Sequence, residues 1–318
     1  MRKFIVSDLH GNGEVYDSMM AYLGNIALLD DVELYINGDL IDRGLDSYRM
    51  LCDVYDRILG KGNIKIHYLG GNHELMMYQA LRAKKDGKWI NPWCDWMMNG
   101  GHIIEGELDS LKDGEEKCEE FKEFLGTLKI YHLFDEKILD KPIVLVHARA
   151  PKKILKDCPT TIADNNWNVF TTVWKRKSDG SDYLFLRLLF PHFNRIGHKN
   201  YFTIIGHTPV NNRDGFYFDK RENVLNIDGG CAAYACEYFD YDHVPLVEVV
   251  GDALKILVFN HNNEIINGYY YDGKFYRLKE ESVDKDRLLL DSKFDNIEEE
   301  KVKLIKRHWN ILKNGCEE

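Results

Sequence analysis

The sequence lacks any apolar run near the roughly 20 residues that a membrane-spanning helix needs. Its greasiest stretch, 184–190, is short and interrupted by Arg187. The basic start Met1-Arg2-Lys3 leads into only three apolar residues before Ser7 and Asp8, so no secretory leader is expected. The seven cysteines (Cys52, Cys94, Cys118, Cys158, Cys231, Cys236, Cys316) form no C-x-x-C pair and are odd in number. That pattern excludes a disulfide framework and predicts free thiols in a reducing, cytoplasmic setting. An excess of basic residues is missing too: 42 Lys and Arg stand against 52 Asp and Glu, a formal net charge of −10. Long nucleic acid and anionic membrane are therefore poor partners, because both need a basic surface. A small phosphorylated substrate stays open, since bound metal ions make one pocket locally positive. No repeat of fixed period and no low-complexity linker divides the chain.

What is present suits a globular protein with a sizeable core: 318 residues, 44% hydrophobic and 30% charged. Short β-branched or aromatic runs recur, and each stops at a polar loop. Residues 3–6 lead into SDLHGN, 33–37 into GDLIDRG, 64–69 into GGNHE, 143–146 into HARA, 202–205 into GHTP and 224–227 into DGGC. Helical patterns separate the early runs. Leu51, Val54, Tyr55 and Ile58 share the spacing of one buried helix face, with Ser47 upstream as its expected cap. Alternation of this kind predicts an α/β architecture. Later, 255–259, 269–271 and 274–277 read as strands, the last two joined at Asp272-Gly273 as a hairpin. Two stretches, 108–124 and 151–193, stand out as insertions. The division predicted is a domain over 1–278 and a charged C-terminal helical extension over 279–318. In that extension Val302, Ile305, Trp309 and Leu312 form an amphipathic stripe.

The residues at the predicted strand ends are Asp8 and His10, Asp39, Asp42 and Arg43, Asn72, His73 and Glu74, His147, and His207. Their candidate donors are carboxylate and amide oxygens and imidazoles without a thiolate. Mn²⁺, Fe and Zn²⁺ fit that set better than a thiolate-preferring ion. Loops at adjacent strand ends converge, so distant residues meet there. A carboxylate between two ions bridges them.

These fragments resemble the phosphoprotein-phosphatase branch of the calcineurin-like metallophosphoesterases, whose patterns are GD-x-HG, GD-x-x-DRG, GNHE and two later histidines. The stretch WMMNGG, at 96–101, is similar to a W-x-x-NGG segment of bacterial and phage members. Those members include protein phosphatases and symmetrical diadenosine tetraphosphate hydrolases. The resemblance runs from residue 3 to about 260 and implies a two-sheet β-sandwich core flanked by helices (α/β/β/α). It also implies two divalent metal ions, Mn²⁺ first, with Fe or Zn²⁺ served by the same donors. Asp8, His10 and Asp39 would hold one ion. Asp39 would bridge to a second, completed by Asn72, His147 and His207. Arg43 would bind phosphate oxygens together with Asn72. His73 would protonate the leaving alkoxide, with Asp42 orienting it. Glu74 would support its neighbours. A second phosphate-binding arginine is expected in a W-x-R context, which Arg176 fills after Trp174 and Lys175; Arg149, two residues after His147, is its rival.

Two departures from the family pattern stand out, the first modest and the second bearing on the substrate. Ser7 stands where many members have glycine, and Ala148-Arg149-Ala150 replaces a small-residue pair after His147. The function implied is hydrolysis of phosphoserine or phosphothreonine monoesters by in-line attack of a hydroxide bridging the ions. The alternatives are a hydrolase of diadenosine tetraphosphate or of another small phosphoester, and a silent phospho-ligand binder. A phosphorylated protein or small phosphoester is the expected partner. Asp228 follows a strand and reads as a turn residue or a rim carboxylate. The histidines at 67, 102, 132, 192, 198, 243, 261 and 308 lack a ligand partner at a recognisable spacing and read as surface or hydrogen-bonded residues. The Tyr-rich segments 234–241 and 269–276 read as packed strands.

Overall fold

Alternation of side chains across a strand decides which residues meet which layer. In β1 (Arg2–Val6), Phe4 and Val6 join one core and Ile5 another. In β2 (Val32–Asn37), Leu34 and Ile36 side with the first core and Tyr35 with the second. The first core lies under the helices, and the second fills the space between two sheets. Each fully buried Ile or Leu in them contributes on the order of 1.5–3 kcal/mol. This computed structural model describes residues 1–85, 90–151, 153–156, 160–164, 197–210, 214–231, 243–260 and 264–278.

The larger sheet also holds β3 (Ile64–Leu69), β9 (Val244–Val250), β10 (Ala253–Phe259), β11 (Ile265–Tyr271) and β12 (Phe275–Arg277). Its order is β12-β11-β10-β9-β1-β2-β3, with β1, β2 and β3 parallel. The smaller sheet holds β4 (Tyr131–Ile138), β5 (Lys141–Val146), β6 (Phe202–Ile205), β7 (Tyr217–Asp219) and β8 (Val224–Asn226), in the order β4-β5-β6-β8-β7. Here β5, β6 and β8 run parallel. Helices α1 (Gly13–Ile26), α2 (Ser47–Ile58), α3 (Asn72–Lys85), α4 (Ile90–Trp96), α5 (His102–Ser110) and α6 (Gly114–Thr127) supply the first core. The expected α/β class with two sheets and flanking helices is what the chain adopts.

Several local expectations change. Ser47 is the first residue of α2; Asp46 takes the cap position, and the Ser47 hydroxyl donates back to the Gly44 carbonyl at 2.7 Å. The buried face of α2 is Ser47, Met50, Leu51 and Val54, while Ile58 lies exposed at the helix end. The Asn12 of SDLHGN caps α1, its Oδ1 accepting from the Val15 amide at 3.2 Å. Strands β4, β7 and β9 were not anticipated. The stretch 108–124 is helical and packs Leu108 and Phe121 into the first core. The β11–β12 hairpin forms as expected, with Tyr269 and Tyr271 buried and Tyr276 exposed. Segment 234–241 and the stripe Val302, Ile305, Trp309 and Leu312 lie outside the described residues, as does most of 151–193. Cys52, Cys94, Cys118 and Cys231 are free thiols. Among the described residues no helix is long and apolar enough to cross a membrane.

Candidate active site

The ends of the parallel strands of both sheets are tied to one another. The Asn37 amide, at the end of β2, donates to the Val146 carbonyl at the end of β5 at 3.1 Å. The Asn37 carbonyl takes the Ser7 hydroxyl at 3.1 Å and Nδ1 of His147 at 2.7 Å. Ser7 is thus a buried stitch between β1 and β2, and it also donates to Asp8. The Gly206 amide donates to the His147 carbonyl at 2.7 Å. A Cβ on Gly38, where φ is +79°, would lie 2.6 Å from the Gly71 backbone and 2.8 Å from Nδ1 of His147, so only glycine lets the three loops close up.

The backbone marks the same place. Nine non-glycine described residues have positive φ, and six of them are Asp8, His10, Asp39, Asp42, Arg43 and His207. Such conformations cost on the order of 1–3 kcal/mol each and persist where the surroundings impose them. Here cross-loop bonds do so: the His10 amide donates to the Asp39 carbonyl at 3.0 Å, and the Gly44 amide to the His10 carbonyl at 3.0 Å.

Asp39 is buried at the centre, and its two oxygens face different partners. Oδ1 lies 3.3 Å from Nε2 of His147; Oδ2 lies 3.5 Å from Nε2 of His10 and 3.8 Å from Nε2 of His73. His147 gives Nδ1 to the Asn37 carbonyl, and His10 gives Nδ1 to the Ile41 carbonyl at 3.0 Å. In both rings a backbone carbonyl orients Nε2 toward Asp39, the arrangement a metal-binding histidine needs. Oδ1 of Asn72 lies 3.1 Å from Nε2 of His147 and 2.7 Å from Nδ1 of His207. Two groups of donor atoms, each within 4.8 Å, result: His10, Asp39 and His73; and Asp39, His147 and His207. Asp8 lies in neither group; its carboxylate accepts from Ser7 and from the His207 amide, at 3.0 Å to each oxygen.

The profile of the calcineurin-like phosphoesterases matches residues 1–244. The chain belongs to that family. This phosphoesterase resembles several solved structures at low identity. A cold-active protein tyrosine phosphatase from a psychrophilic Shewanella is 15% identical, over 87% of this chain and 80% of that one, with a TM-score of 0.41. A protein serine/threonine phosphatase from Saccharomyces cerevisiae is 13% identical over 79% and 73%, with a TM-score of 0.44. A metallophosphoesterase from Sphaerobacter thermophilus is 13% identical over 96% and 98%, with a TM-score of 0.36. No curated protein sequence matches significantly. The family is one of hydrolases built on a pair of divalent metal ions, and the oxygen-and-imidazole donors around Asp39 fit that pair.

The electrostatics of the phosphoesterase site are those of a place built for cations. Burial pushes Asp39 up, but His147 and His73 outweigh it and hold the carboxyl well below the usual range. Burial likewise opposes charge on His147, and Asp39 with Asp8 overcomes it, raising the imidazole to about 10. The proton there answers the same negative charge that a divalent cation would. His207 is pushed down to about 3 by burial and by the neighbouring His147. Burial and the adjacent Asp228 lift Asp8 well above its ordinary value. Asp228 is itself lifted to about 6 by burial, against the Gly230 amide it accepts. It is both a turn residue and a buried carboxylate, and its position after a strand was the available signal.

Behind the donors sit the residues expected to do other work. His73 gives Nδ1 to Oδ2 of Asp42 at 2.7 Å, and both are fully buried. The guanidinium of Arg43 donates to Nε2 of His10 at 3.2 Å and of His73 at 3.0 Å. Glu74, in the first turn of α3, accepts from the amides of Gly71, Asp39 and Leu40 and from the Tyr68 hydroxyl, at 2.6–3.0 Å. It is the support expected of it, a buried carboxylate satisfied by four donors. One contact went unforeseen: Trp96 donates its indole N–H to Asp42. Arg176 lies outside the described residues, and Arg149 is half-buried two residues beyond His147.

Proposed function

We propose that this phosphoesterase belongs to the phosphoprotein-phosphatase branch and hydrolyses phosphoserine and phosphothreonine monoesters with two divalent ions, Mn²⁺ first. The observation that carries the reading is Asp39, with one oxygen toward His147 and the other toward His10 and His73. Asp8, His10 and Asp39 would hold one ion, and Asp39, Asn72, His147 and His207 the other. When bound, the ions supply an activated water and positive charge for the phosphoryl oxygens.

The chain's own residues carry the remainder. Arg43, a donor-only fork, turns from the imidazoles to the phosphate oxygens and fixes the ester's orientation. Asn72 and Arg176 complete that grip. His73 delivers a proton from Nε2 to the leaving oxygen, and Asp42, held to Nδ1, keeps the ring aimed and stabilises its charged form. The burial of His73 and Asp42 excludes bulk water from the proton path.

The test is phosphate release from a phosphoserine peptide by the Mn²⁺-loaded full chain, run beside cleavage of diadenosine tetraphosphate. Release from the peptide supports the reading. Cleavage of the dinucleotide alone moves the substrate to nucleotides and leaves the ion sites standing. Tight phosphopeptide binding without release in Mn²⁺ would instead mark a silent binder.

A further inference from the structure

Residues 96–101, Trp-Met-Met-Asn-Gly-Gly, have no part in the chemistry above, yet they touch it twice. Trp96 ends α4 and is 1% exposed; the chain then kinks over Met97–Gly101, where Gly100 leaves helical geometry, before α5 begins. The indole N–H lies 3.0 Å from Oδ1 and 3.2 Å from Oδ2 of Asp42, the carboxylate that takes Nδ1 of His73. A carboxylate with one donor keeps freedom about its Cβ–Cγ bond, and a second charge-assisted donor removes it. The indole reaches Asp42 by lying flat on Gly101: a Cβ there would sit 2.4 Å from its nitrogen. Gly100, at φ +102°, abuts Arg43, where a Cβ would come within 2.8 Å of the Arg43 amide nitrogen and Cγ. Its carbonyl accepts the Arg43 amide at 3.3 Å, bracing a residue whose own φ is +71°.

We propose that 96–101 is a positioning clamp: Trp96 sets the Asp42–His73 pair through its indole N–H, and Gly100 sets Arg43 through its backbone. Plain core packing would explain a buried tryptophan, since Trp96 also lies in the first core. It would not explain why the nitrogen edge meets Asp42, or why both glycines carry contacts a side chain would destroy. The inference rests on the phosphoesterase reading for what the two arms serve.

The two arms separate kinetically. Trp96→Phe keeps the ring and removes the N–H. With p-nitrophenyl phosphate and Mn²⁺, kcat should fall about tenfold to a hundredfold while KM and bound metal stay as in the parent. In an Asp42→Ala background the same change should add nothing, because the indole acts through that carboxylate. Gly100→Ala should raise KM, and weaken inorganic phosphate binding by calorimetry, about tenfold; in an Arg43→Ala background it should do neither. Gly106→Ala, at an α5 position with open space around it, serves as the control and should match the parent. The clamp is overturned if Trp96→Phe leaves kcat unchanged, or adds its full loss without Asp42. Loss of metal together with kcat and KM would also overturn it, marking Trp96 as packing alone. If the parent hydrolyses nothing, the phosphoesterase reading falls, and phosphate binding by the Gly100 and Arg43 variants still decides that arm. Slow hydrogen exchange of the Trp96 indole, lost in Asp42→Ala, decides the other.

Discussion

Two groups of buried or half-buried histidines, one within strands and one just beyond strand ends, do opposite things. His67, in the body of β3, stacks on Tyr35 at 4.4 Å between ring centroids, and His132 of β4 packs on the same ring at 4.7 Å. Glu33 lies 3.5 Å from His67 and is already paired with Lys65 at 2.7 Å. Six residues beyond His67 comes His73, beside Asp39, Asp42 and Arg43. Mid-strand imidazoles meet their neighbours through ring faces in regular backbone. Imidazoles just beyond the strand ends present nitrogens to Asp39 or Asp42, and two of them, His10 and His207, sit in left-handed backbone. Residue type is shared; location along the chain, deeper burial and the carboxylates gathered at the strand ends make the difference.

The largest effect expected from breaking that contrast is at Asp39. Asp39→Asn, or dialysis of the parent against a chelator, should empty the ion sites and lower phosphate release by at least about a hundredfold. Elemental analysis of the purified variant checks the first and a phosphate assay the second. Next comes His73→Ala, expected to lower turnover by about 10²–10⁴ with metal content kept. His132→Phe should leave turnover at the parent level, and parity between the two variants would erase the comparison.

Glu74→Ala is expected to act on stability, leaving buried backbone amides and the Tyr68 hydroxyl without an acceptor. The cost should be about 3 kcal/mol or more in urea unfolding. The smallest effect is acid lability of the Tyr35 cluster. Burial holds His132 down at about 4, below its ordinary 6.5, so the unfolded chain binds the proton more tightly. That contribution is complete above pH 6.5 and is lost as pH falls toward 4. Burial would raise Glu33, but hydrogen bonds from Lys65 and Tyr35 bring it to about 2, so its share is lost between about 4.5 and 2. His132→Phe should flatten the urea midpoint's fall between pH 6.5 and 4; an unchanged slope would assign the lability elsewhere.

Much of the site was legible because strand ends are local events. A short β-branched run followed by a polar, glycine-bearing loop names its own last residue, so Asp8, Asp39, Asn72, His147 and His207 could be placed without a partner in view. Strand β9 was harder to see, since Pro245 interrupts its apolar run. Pro245 stands opposite Val258 of β10, while β1 pairs only with Val247 through Val249, so the proline lies beyond the part of β9 paired on both sides. Strand β4 mixes charged and apolar residues at the edge of its sheet, where alternation is weak.

The sequence by itself determined which candidate donors follow the strand ends, their order along the chain, and the α/β class, because each depends on a few consecutive residues. Only the tertiary structure decided how they are used. The division of Asp39 between two sets of imidazoles, and the reach of Trp96 to Asp42 across 54 residues, are distances between segments. So is the burial of Asp228 within range of Asp8. Such distances arise from the packing of two sheets face to face across a shared core, and no local pattern encodes them.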